Sequence, residues 1–216
     1  MTRSGLSALR ASSDLQLRKL QLAMCSQIDS ETILEFSSTV ASATTKKAKT
    51  LLKAQRQQAK KIASQGTAFE MLNTYAEDQF SLAEEVGHLA DKLAIVALFG
   101  QVELSYKAMI GIAIPGIDEK QLFRWASVKK TLKRKGIDLE TIARYAQVNQ
   151  LRCINNAIKH GRNVGAELAA TGWGRASEKI DASKCSKALY DFVDDGEVFI
   201  RDLRAKLLHL VESEKI

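Results

Sequence analysis

The residues best suited to chemistry fall near the end of one expected helix, Leu139 to His160, in Asn155-Asn156-Ala157-Ile158-Lys159-His160-Gly161. At about 100° per residue, Leu151, Ile154 and Ile158 share a stripe that should face a core. Ile142, Asn149, Cys153, Asn156 and His160 lie opposite, with Tyr145 and Arg152 at the margin. Arg152, Asn156 and His160 are spaced i, i+4, i+8 and form one ridge. A face mixing apolar side chains, amides and an imidazole is too apolar for ordinary solvent surface, and suits a dimer interface or a cleft. His160 sits where the negative end of the helix dipole favours positive charge. Imidazole is the usual proton-transfer group near neutral pH. Arg152 and Lys159 are suited to steadying charge on a phosphorane or a leaving group. The same Lys-His-Gly ending is also simply how a well-formed helix stops.

The elements that must position this ridge are helical. Ala, Leu, Lys, Gln and Glu dominate, and proline occurs only at Pro115; these are strong helix formers. Little of the chain alternates as a strand would. The fold class expected is all-α. Residues 1–13 read as a loose terminus. Residues 14–65 read as helical, with a weak seam of Phe36, Val40, Ala43, Leu51 and Ile62 that suits a long helix, a hairpin or a coiled coil, capped at Asp29 or Ser30. Gly66 breaks the pattern, one helix runs from Thr67 or Asn73 to about Val86, and another from Gly87 to Ile114. Pro115-Gly116 stops it. Asp118 and Asp138 cap the next two helices, glycines make 161–180 mostly loop, and a last helix spans about 183–214. The stretch Leu93 to Ile114 is interrupted by Gln101, Glu103 and Lys107, so it reads as a buried core helix and no membrane span is expected.

Charge adds a second theme. The net charge is +7, which suits an acidic partner such as nucleic acid or an anionic membrane surface, or simply a mildly basic soluble surface. Lys46, Lys47, Lys49, Lys53, Arg56, Lys60 and Lys61 form a run without an acid. Phosphate contact and a plain solvated helix face both fit it. The basic residues at 129–135 complement a helix C-terminus. Cys25, Cys153 and Cys185 are widely spaced and odd in number, which points to a reducing compartment, the cytoplasm, and away from a disulfide framework.

Other chemistries find less support. Glu85 and His88 have Glu-x-x-His spacing, but a di-iron bundle needs a second such pair. No zinc spacing or phosphate-binding glycine loop occurs. Neither a metal nor another cofactor is expected.

An apolar helix, a basic connecting helix, the segment Val148 to Gly161, a loop with Trp173 and a long last helix follow one another in this order. This order and the Asn-Asn-Ala-Ile-Lys-His segment resemble the HEPN superfamily over about 85–212. The resemblance implies an antiparallel helical bundle at 85–216, with 14–84 as a basic helical extension. It implies a homodimer whose paired helix ends form a shared cleft, in a metal-independent RNA endonuclease of a prokaryotic defence or toxin–antitoxin system. His160 takes the family histidine's place and Arg152 the arginine's. The family spacing is four to six residues, whereas seven separate Arg152 from His160. Cys153, Ile154 and Asn155 stand where arginine is expected. Either the site is degenerate, leaving a module that docks a partner protein, or Asn156 and Lys159 share the arginine's role. Lys46, Lys47, Lys53, Arg56 and Lys60 are the candidate nucleic-acid contacts outside the resemblance.

Overall fold

A computed structural model describes the backbone of residues 3–61 and 66–213. These form an all-α helical bundle, with no strand among the described residues. The α-helices are α1 (Arg3–Cys25), α2 (Ser30–Lys61), α3 (Gly66–Ala113), α4 (Trp125–Arg134), α5 (Tyr145–Lys159), α6 (Ala166–Ala170) and α7 (Ala182–Ser213). Short 3-10 turns, Glu119–Leu122 and Leu139–Thr141, precede α4 and α5. The expected caps appear there: Asp118 accepts from the Lys120 N–H and Asp138 from the Glu140 N–H. Each satisfies a helix-start donor that has no partner within its own turn.

The core is built on α3 and α7. Val102, Met109 and Ile110 of α3 meet Phe199, Leu203 and Leu207 of α7, with Leu22 of α1 and Leu132 of α4 in the same cluster. A second cluster joins Ile95, Leu98 and Phe99 to Leu151 and Ile154 of α5 and to Leu189 and Phe192 of α7. Gly196 lets α3 and α7 approach, since a Cβ there would lie 3.2 Å from Val102.

Three local expectations change. The helix backbone begins at Arg3, within the stretch expected to be loose. Farther along α1, Arg18 donates to the Ile112 and Ala113 carbonyls at 3.2 and 3.1 Å, and Leu22 is fully buried. These contacts dock α1 on the end of α3. Helix α3 runs unbroken through Gly87, where a glycine costs only about 1 kcal/mol in a helix interior.

The seam of α2 is also shifted. Ile33, Ser37, Ala48 and Gln55 are buried, while Phe36 is 45% exposed and Ala43 is exposed. The Ser37 hydroxyl donates to Asp91 at 2.7 Å and the Asp29 N–H to Gln101 at 2.6 Å. Polar and small side chains thus hold α2 antiparallel against α3, which an apolar count does not reveal. Ile62, the last residue of the expected seam, lies outside the described residues. By length and composition α3 passes the test for a membrane-spanning helix, yet half of its most apolar window is buried in the fold.

Candidate functional site

Helix α5 starts later than its pattern suggests. Arg144 adopts a left-handed backbone, φ 63°, just before it. The Ala143 N–H is taken by Asp202 of α7 at 2.9 Å, and Arg144 pairs with Asp195 at 3.4 Å. From there Val148, Leu151 and Ile154 point into the core. The helix ends where the sequence says. His160 N–H donates to Asn156, Gly161 to Ile158 and Arg162 to Ala157, at 3.2, 3.1 and 2.8 Å. Gly161 sits at φ 58°, the left-handed position that glycine fills without a Cβ penalty. This reversal sends Arg162 and Asn163 back along α5.

The result is a cleft of about 210 Å³ between α5, the turn after it and α6, lined by Arg152, Asn156, Arg162, Asn163 and Glu167 over Cys153. Arg152 and Asn156 of the expected ridge are therefore brought together. His160 and Lys159 are exposed at the helix end, outside this lining. Arg162, Asn163 and Glu167 are the additions. Their signal was the glycine at 161, but a loop's direction after such a stop depends on where α6 docks.

Arg152 is the most constrained of these groups. Its side chain is 14% exposed and ion-paired with Glu167. It donates to Asn149 Oδ1 at 3.0 Å and to Cys153 Sγ at 3.3 Å. The guanidinium lies 5.8 Å from the Trp125 ring, which stacks on Tyr145 with 6.1 Å between centroids. Such a contact adds roughly 0.5–2 kcal/mol. Burial pushes the Cys153 thiol up to about 11 against the opposing pull of Arg152. Burial likewise raises the Tyr106 phenol well above its ordinary range, and Tyr106 meets Trp125 edge-on at 5.5 Å.

Much of the second face of α5 is thus covered by its own chain. Ile142 and Cys153 are buried, and Tyr145 packs against the core. What remains open is the cleft and the exposed helix end. On α2, Lys46, Lys47, Lys53, Arg56 and Lys60 are all exposed. Lys46, Lys53, Arg56 and Lys60, with Lys49, recur every three or four residues and share one side of the helix, whereas Lys47 points away from that row. Among the described residues, no group of three or more His, Cys, Asp or Glu could hold a metal ion.

No protein-family model matches the chain, and neither a curated protein nor a solved structure gives a match.

Proposed function

We propose that the chain is a HEPN-like RNA-binding protein of the cytoplasm, with its ribose-phosphate site in the cleft at the end of α5. The observation that carries this reading is the convergence of two guanidinium groups and two amides, Arg152, Arg162, Asn156 and Asn163, on one small opening. Arginine forks and amide N–H groups suit phosphate oxygens. Glu167 offsets one of the two positive charges, while Lys159 and His160 are exposed at the end of α5, outside the cleft lining. The basic row of α2 supplies a second, sequence-tolerant phosphate contact.

In this reading His160 is the proton-transfer group of a metal-independent endonuclease of a defence or toxin–antitoxin system. The 2′-hydroxyl loses its proton and its oxygen bonds to phosphorus. The bond to the 5′-oxygen breaks, and that oxygen takes up a proton. The products are a 2′,3′-cyclic phosphate and a 5′-hydroxyl. A homodimer would bring two such helix ends to one strand.

One observation favours the non-catalytic reading, a HEPN-like interaction module. Arg152 is already engaged by Glu167, Asn149 and Cys153, as a structural arginine would be. Binding tests the cleft itself. Fluorescence anisotropy on a labelled single-stranded RNA should show about tenfold weaker binding for Arg162→Ala with Asn156→Ala, and affinity should fall steeply with salt. Unchanged affinity in the double variant would remove RNA from this cleft.

A further inference from the structure

We propose that the outward face of α3 is the dimer interface of this protein, and that its occupant is α3 of a second copy running antiparallel. The inference stands apart from the RNA reading.

On the side of α3 away from the core, Tyr75, Leu82, Leu89, Leu93 and Leu104 are 53, 52, 56, 47 and 70% exposed. Val86 joins them at 37%. From Leu82 the stripe continues through Val86, Leu89, Leu93, Ala97, Gly100, Leu104, Ala108 and Gly111 in steps of four, three and four. That is an 11-residue repeat, which tracks a nearly straight line along a helix. Chance exposure of single leucines is common, but an unbroken line over more than eight turns is not.

The size pattern says what covers it. The first half of the stripe is large: Tyr75, Leu82, Val86, Leu89. The second half is small apart from Leu104: Ala97, Gly100, Ala108, Gly111. A Cβ built at Gly100 or Gly111 meets nothing within 4 Å, so neither glycine is demanded by a contact inside the chain. Place a two-fold axis at Leu93 with the second helix antiparallel. Leu89 then faces Ala97, Val86 faces Gly100, and Tyr75 faces Gly111. Three large side chains meet small ones, while Leu93 meets its own copy on the axis and Leu82 meets Leu104 farther out; helix axes packed in this way lie about 8–10 Å apart. A parallel in-register pairing sets Gly100 on Gly100, Gly111 on Gly111 and Ala97 on Ala97, which leaves voids that the antiparallel register fills with Val86, Tyr75 and Leu89. The antiparallel register also sets Lys107 beside Asp78 of the second copy.

The area suffices. From Tyr75 to Gly111 the seam is about 55 Å long at 1.5 Å per residue, and a helix contact is about 10 Å wide. That removes about 550 Å² from each copy, or about 1,100 Å² in all, just above the roughly 1,000 Å² that a specific interface needs.

Sedimentation velocity of the full chain between about 1 and 100 μM, by the concentration logic of self-association, should give about twice the 23.8 kDa chain mass. Leu93→Glu sets two carboxylates against each other on the axis and should weaken association at least 100-fold. Ala97→Leu, at an exposed position, fills the slot for Leu89 and should do the same; circular dichroism and melting check that both variants fold. Cross-linking fixes direction: Val86→Cys together with Gly100→Cys should link copies, and Val86→Cys alone should not. A monomer throughout the range, dimers unchanged by both variants, or links through residue 86 alone would overturn the proposal. So would flotation of the chain with neutral phospholipid vesicles that Leu93→Glu abolishes, since a lipid surface would then be the occupant.

Discussion

Arg152 on α5 and Glu167 on α6 form an ion pair across the mouth of the cleft. The pair ties the short α6 to the helix that carries Asn156 and His160, and it offsets half of the guanidinium charge available there. Arg152 is nearly enclosed while Glu167 is 61% exposed. An ion pair with one solvated partner contributes only about 0–1 kcal/mol to stability. Its larger effect is on what the cleft attracts.

Glu167→Gln should therefore strengthen RNA binding by about three- to tenfold, a gain of roughly 1 kcal/mol, and should leave the melting temperature within a few degrees. Anisotropy titrations at two salt concentrations check this, with a steeper salt dependence expected for the variant. Weaker binding would mean that Glu167 positions Arg152 rather than masking it.

Cys153 and Cys185 both have thiols pushed up to about 11 by burial. A raised thiol stays protonated in the folded chain at a pH where the unfolded chain ionises. Its contribution is complete below the unfolded value, near 8.5–9, and is lost as pH rises through about 11. Urea midpoints should accordingly fall between pH 8 and pH 10.5, and less so in Cys153→Ala and Cys185→Ala. At pH 8 a thiol reagent should label Cys25, which is half-buried, well before the other two. Equal labelling of all three would show that the α5 and α7 core opens readily.

Helix ends governed by their own neighbours were legible in the sequence. Asp118, Asp138 and the Gly161 stop act within a few residues of themselves, so their caps appear where the pattern puts them. Features governed by distant residues were not. The left-handed Arg144 that delays α5 answers to Asp195 and Asp202, more than fifty residues away. The seam of α2 is set by Asp91, through Ser37. The same rule holds for the site. Arg152 and Asn156 share a ridge by helix spacing alone, whereas Arg162, Asn163 and Glu167 join them only because α6 folds back. The large-to-small run along α3 was present in the sequence, but it became a feature only once the other face of that helix was seen to be spent on the core.

Incubation with RNA in EDTA reads the chemistry of the α5 helix end without any metal. Wild-type chain should convert an end-labelled single-stranded RNA to fragments ending in a 2′,3′-cyclic phosphate. His160→Ala should lose at least 100-fold in rate, about 2.7 kcal/mol of barrier, while RNA affinity and melting temperature stay close to wild type, as expected for an exposed residue. Cutting at an equal rate by His160→Ala, or intact RNA in the wild-type reaction despite tight binding, would contradict a catalytic role for the α5 helix end.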